Sequence, residues 1–260
     1  MLYIALLTSI HISAFDITDW LPTSWVARTT SEETILYNLA PTTNNIIIAF
    51  ESGTITLDTW THHQATLHIV KSARTSDDLQ HIAISTHTQN DETFTLDIQQ
   101  PDLQTNINLN IVTPYTTSVT IIGKKTGNII VSRTPQHLII STMQGNITIH
   151  NEQGNTIDST TEHGNIEIHC ESFNENSSIL ARAPEGSIIL HLPSTLNATI
   201  EAQTKQGSIE ILYPLAIEYK FPQFNKEYIK QLQKHIEGTI HLGGPHISLH
   251  AASNISVAPE

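Results

Sequence analysis

One short phrase recurs along this chain: glycine, a small polar or hydroxyl residue, then apolar, any residue, apolar. It reads Gly53-Thr-Ile-Thr-Leu, Gly127-Asn-Ile-Ile-Val, Gly145-Asn-Ile-Thr-Ile, Gly164-Asn-Ile-Glu-Ile, Gly186-Ser-Ile-Ile-Leu, Gly207-Ser-Ile-Glu-Ile and Gly238-Thr-Ile-His-Leu. From Gly127 to Gly207 it returns about every twenty residues, an interval typical of solenoids. β-branching and a period of two make each phrase a strand. A second strand precedes each glycine, because Ile46, Leu138, Ile157, Ile179 and Ile200 all stand seven residues before one. Two and four residues further on, this strand carries smaller inward side chains, such as Ser159, Ala181, Ala202, Thr142, Thr161 and Ala183. The unit is therefore strand, corner, strand. Glycine suits such a corner because it accepts positive φ and leaves room for a neighbouring coil.

One coil buries too few side chains to order itself, so coils must stack and share an apolar interior. The expected fold is all-β: a single-domain β-solenoid, β-helix-like, of about twenty-residue coils. A β-sandwich is the alternative, since short strands at regular spacing also describe immunoglobulin-like folds. The solenoid is preferred because identical residue types recur at identical phases. Pro114, Pro193 and Pro214 end strands, where a missing N–H stops a ladder. Domain limits follow: residues 1–14 a candidate signal peptide, 15–45 an N-terminal capping segment, and 46–257 the solenoid. Residues 213–237 interrupt the repeat, and Tyr228, Leu232 and Ile236 stand at helical spacing before Gly238, which predicts a short helix insertion. Between residues 60 and 112 the strands persist without glycines, which predicts longer and less regular β-structure continuous with the coils.

Charge narrows the partners. The 260 residues hold 12 Lys+Arg and 25 Asp+Glu, a net charge of −13, with 14% charged residues. Twelve scattered bases in such a field repel phosphate, so neither nucleic acid nor an anionic membrane surface is an expected partner. Met1–Ala14 is apolar and too short to span a bilayer, and no Lys or Arg precedes Arg28. It reads as a signal peptide with a weak n-region, or else as a first buried strand. Cys170 is the sole cysteine, so it forms no intrachain disulfide and no thiolate zinc site by itself.

Chemistry has few footholds. Beyond residue 102 Asp158 is the only Asp, and Glu167 and Glu210, which share an outward phase, read as solvated surface. No P-loop, no His-Glu-x-x-His, no Gly-x-Ser-x-Gly and no calcium nonapeptide occurs. No catalytic residue, cofactor or metal site is assigned. Of the fifteen histidines, His62 and His63 fall in a loop, while His150, His169 and His191 each follow a corner glycine by five residues. That shared outward phase predicts a surface column of imidazoles, a grouping able in principle to hold a metal or respond to pH.

The run of Gly-Asn/Ser-Ile-x-Ile coils, the strand ending in Pro114 before Gly127, and the closing Gly238-Thr-Ile-His-Leu-Gly-Gly-Pro-His-Ile-Ser-Leu249 resemble the bacterial putative-adhesin domain of unknown function. The likeness covers roughly residues 40–257, and departs from the family in the missing glycines between 60 and 120. It implies a single-domain β-solenoid, often in exported or envelope-associated proteins, and brings no catalytic residues. The expected function is non-enzymatic: a secreted, periplasmic or cell-envelope module contacting an unknown protein or glycan at the cell surface, with self-association open. A carbohydrate-active β-helix enzyme and a structural scaffold or filament unit are the alternatives.

Overall fold

The computed structural model describes residues 31–100, 105–217 and 234–259. Its first part holds β1 (Ser31–Asn38), β2 (Asn45–Trp60), β3 (Thr66–Ala73), the short helix α1 (Ser76–Gln80), β4 (Ala83–Gln89), β5 (Thr93–Gln99) and β6 (Asn106–Pro114). Then come β7 (Ser118–Val131), β8 (His137–Gln144), β9 (Ile147–Asn151), β10 (Thr156–His163), β11 (Ile166–Cys170), β12 (Ser178–Ala183) and β13 (Ile188–Leu192). The last part holds β14 (Ala198–Thr204), β15 (Ile209–Ile211), β16 (Leu215–Ile217), β17 (His235–Ile240), β18 (His246–Ala251) and β19 (Ile255–Pro259).

These strands form an all-β solenoid with two faces, as the repeat predicts and unlike the sandwich. The face before the corner runs β4, β5, the first half of β2, the first half of β7, β8, β10, β12, β18, β14, β17, β16. The face after it runs β1, β3, β6, the second halves of β2 and β7, β9, β11, β13, β19, β15. Pairing is parallel from β5 and β6 through to β14 and β15, and antiparallel at both ends.

Stacking order is not chain order. Coil β2 lies between β5/β6 and β7, and the closing coil β18/β19 lies between β12/β13 and β14/β15. The neighbour of the Gly186 coil is thus the C-terminal coil. Its corner, Ser253-Asn254, has no glycine.

Register keeps like on like. Ile147, Ile166, Ile188 and Ile255 are partners on successive rungs, as are Leu138, Ile157, Ile179 and Ile247 opposite them. All are buried, in one continuous core from Ile35 to Val257. The interior excludes water along its length, and burial of these side chains is the main stabilising term.

The glycines mark corners for a steric reason. A Cβ on Gly145, Gly164 or Gly186 would run into the carbonyl of Gly127, Gly145 or Gly164 on the rung beside it. Gly145 also has φ of 126°, where a side chain is strained. Gly127 serves differently: a Cβ there would meet the ring of Phe50, at 2.8 Å from Cε2. Next to the glycines, Asn128 Oδ1 accepts from the Asn146 N–H, Asn146 Oδ1 from Asn165, and Asn165 Oδ1 from Ser187, at 2.9–3.0 Å. Each amide satisfies a donor that the turning backbone leaves free.

One expectation is corrected, and two fall wholly or mostly outside the described residues. Gly238 is no corner: it sits inside β17, opposite Ile200 of β14 and Ile217 of β16 in antiparallel pairing. Alternating side chains look alike in a parallel coil and an antiparallel strand, and a Cβ on Gly238 would lie 2.8 Å from the Ala216 carbonyl oxygen. Most of the helix expected before it, residues 225–233, lies outside the described residues, and its end, Ile236 and Glu237, belongs to β17. The signal peptide at 1–14 also lies outside them. Of the capping segment 15–45, residues 31–38 form β1, an antiparallel edge strand on β3.

Candidate functional site

The outer surface of β9, β11 and β13 gathers the most chemistry. Inward side chains alternate as Ile147 and Ile149, Ile166 and Ile168, Ile188 and Leu190, all buried. Period two then turns Thr148, Glu167 and Ile189 outward as one column and His150, His169 and His191 as the next. The three imidazoles stack face to face: 4.9 Å between the rings of His150 and His169, 4.5 Å between His169 and His191, both 10° from parallel. The ladder ends there, because the next residue in register is Ala258.

Glu167 Oε1 lies 3.0 Å from His169 Nε2 on the same strand, two residues apart. The strand's own geometry makes this pair, since residues i and i+2 share a face. Reading Glu167 only against Glu210 missed it. Glu210 shares the column but not the neighbourhood: β13 and β19 lie between, placing Ile189 and Ser256 in the gap. Three rungs at 4.7–4.9 Å put the two carboxylates about 14 Å apart.

Beside these columns the corner residues Asn146, Asn165 and Ser187 close a shallow groove of about 380 Å³, with Thr148, Glu167 and Ile189 along its floor. On the inner side of the same strands Cys170 is fully buried next to Asn151, whose Oδ1 accepts from the Thr134 hydroxyl at 2.7 Å. His62 and His63 are exposed in the loop after β2, apart from the column. Two carboxyl groups toward the other end are held by cations. Hydrogen bonds from Arg133 at 2.7 and 2.8 Å hold the Asp58 carboxyl below its ordinary range, and a hydrogen bond from Lys124 at 2.6 Å does the same for Asp97.

The coils, their glycine corners and the two-faced stack now permit comparison with known proteins. Residues 127–253 match the family Toastrack DUF4097. The match runs from the first glycine of the regular series to the corner of the closing coil, and bears out the resemblance to a bacterial putative-adhesin domain of unknown function. The matched coils are those that carry the histidine column. The chain is also similar in fold to a crystal structure described as a putative cell adhesion protein from Clostridium sporogenes. That likeness has 9% identity and a TM-score of 0.50, over 89% of this chain and 100% of the other. A crystal structure described as a putative adhesin from Bacteroides fragilis aligns over 90% of this chain and 99% of its own, at 14% identity and a TM-score of 0.40. No protein of curated function matches the sequence. Among the described residues no helix is long and apolar enough to cross a membrane.

Proposed function

We propose that this chain is an exported or envelope-associated, non-enzymatic interaction module that holds a protein or glycan at the cell surface through the outer face of its Toastrack coils. The observation that carries this reading is the regular outward lattice. His stands in register on β9, β11 and β13 beside a groove edged by Asn146, Asn165 and Ser187, so an extended ligand meets an imidazole at each rung. Weak contacts repeated at a fixed spacing add up to useful avidity. The family match and the Clostridium sporogenes neighbour's description as a cell adhesion protein support it.

The rival reading, a carbohydrate-active enzyme, needs two carboxyl groups about 5–9.5 Å apart. Glu167 and Glu210, the pair sharing a phase, stand well beyond that. The test is fractionation of the source cells with surface proteolysis, followed by binding of the purified chain to arrayed glycans and envelope proteins. Recovery at the surface with saturable binding and no depolymerisation of the ligand is the expected result. A cytoplasmic location, or shortening of a bound polysaccharide, overturns the proposal.

A further inference from the structure

We propose that Glu167, His169 and His191 form a binding site for a divalent transition-metal ion of the zinc class. One oxygen and two ring nitrogens from these residues lie within 4.8 Å of one another. Imidazole and carboxylate donors together suit zinc and its neighbours better than calcium or magnesium, which want oxygen alone. Around a tetrahedral zinc with bonds of 2.0–2.1 Å, two ligand atoms stand about 3.4 Å apart. Glu167 Oε1 and His169 Nε2, at 3.0 Å, are already close to that spacing. The ion sits between these two atoms, and any proton on Nε2 is released to solvent when the metal binds.

His191 supplies the third ligand from the next rung. Its ring lies parallel to that of His169, so a rotation of one half-exposed imidazole closes the remaining gap. The pattern also explains why the site is here and not elsewhere in the column. Two residues before its histidine, β9 carries Thr148 and β13 carries Ile189, while β11 carries Glu167. His150 stacks on the far side of His169 and stays outside the ligand set. Three ligands leave a fourth position for water or a donor atom of a partner. The inference stands independently of the adhesive reading, because it concerns side chains of one chain and a bare ion.

The test is titration of the full chain, carrying no polyhistidine tag, with zinc chloride, followed by calorimetry and by NMR of the imidazole resonances. One equivalent of zinc should shift the His169 and His191 rings. Glu167→Gln and His191→Gln should each weaken binding at least about tenfold, since even outer partners of metal ligands cost 10–100-fold. His150→Gln and the double variant of His62 and His63 to Gln should bind as the parent does, and all variants should keep its melting temperature. Zinc that leaves the His169 ring unshifted, or parent-like binding by Glu167→Gln and His191→Gln, overturns the site.

Discussion

The coils from β7 to β13 and the region from β1 to β6 share one core but are held in different ways. In the coils every strand is parallel to its neighbours, so each residue faces its counterpart on the next rung, and a solution that works once must work at each repeat. Hence Ile stacks on Ile, Gly145 on Gly127, and Asn165 on Asn146. In the earlier region β3 runs antiparallel to both β1 and β6, and β4 to β5, so matches such as Ile35 on Ile69 and Ile84 on Ile98 arise pair by pair and not from a repeat. At the end of β5 no glycine stands: Gln100, almost fully buried, accepts from the Ser52 N–H at 2.7 Å. Lys71 pairs with Glu33 inside that region, and Lys124 with Asp97, Lys125 with Glu51 and Arg133 with Asp58 tie it to β7 and the loop after it, while Arg182 with Asp158 joins β12 to β10 within the coils. Repetition imposes composition; irregular pairing frees it.

The sharpest way to break this comparison is through the ladder itself. Ile166→Asp sets an unpaired carboxylate between Ile147 and Ile188, and should cost more than about 4 kcal/mol, enough to unfold the coils. Glu167→Ala on the same strand faces outward and should cost no more than about 0.5 kcal/mol. Equal thermal melts for the two would contradict the register. Next in size is the corner. Gly164→Ala forces a Cβ into the Gly145 carbonyl and should lose about 2–4 kcal/mol in a urea melt, through overpacking and strain. Gln100→Ala leaves the part-buried Ser52 N–H without its acceptor and should lose about 1–2 kcal/mol. A larger loss from Gln100→Ala than from Gly164→Ala would mean that the glycine column does not govern stability.

Much of this was legible in the sequence, for a local reason. Period two is a property of a strand alone, so Ile166, Ile168 and Cys170 inward and Glu167 and His169 outward follow without knowing any neighbour. The histidine column was legible too, because repeats of differing length differ in their loops and keep the phase after each glycine. Stacking order was not legible. Nothing local says that Ile188 lies beside Ile255, since the Ser253-Asn254 corner lacks the glycine and is one residue shorter than its neighbours. Gly238 misled for the converse reason: its phrase has the right alternation, and alternation carries no strand direction. The Glu167 and His169 contact follows from the i, i+2 rule alone, a relation along one strand that the column of like phases does not display.

A smaller effect sharpens the role of the residue after each glycine. Asn146→Ala removes the acceptor for the Asn165 N–H and should cost about 0.5–1.5 kcal/mol, the net worth of a hydrogen bond at a partly solvated corner. Amide exchange read by mass spectrometry should show the loss around Asn165 and not in β2 or β5. Exchange that rises equally everywhere would mean that the coils open as one unit and the ladder has no local effect.

The smallest expected effect belongs to the ion pairs, and its pH dependence distinguishes the two regions. Arg133 holds the Asp58 carboxyl, and Lys124 the Asp97 carboxyl, below the ordinary range, so each folded pKa lies under its unfolded value of about 3.9. A lowered folded pKa means the contribution is complete above the unfolded value and is lost as pH falls through the folded one. Both side chains are roughly one-third exposed, which limits each pair to about 1 kcal/mol or less. The double variant Asp58→Asn with Asp97→Asn should therefore be slightly less stable than the parent at pH 7. The gap should close as the solution is taken below pH 4, and 1 M salt should narrow it at neutral pH. Because the two carboxylates stand on β2 and β5, the acid-sensitive amides should be those of β2, β5 and the adjoining β7, while β9, β11 and β13 respond little. A gap that stays constant from pH 7 to pH 2 would show that the two carboxylates act through shape and not through charge, and the electrostatic half of the comparison would fall.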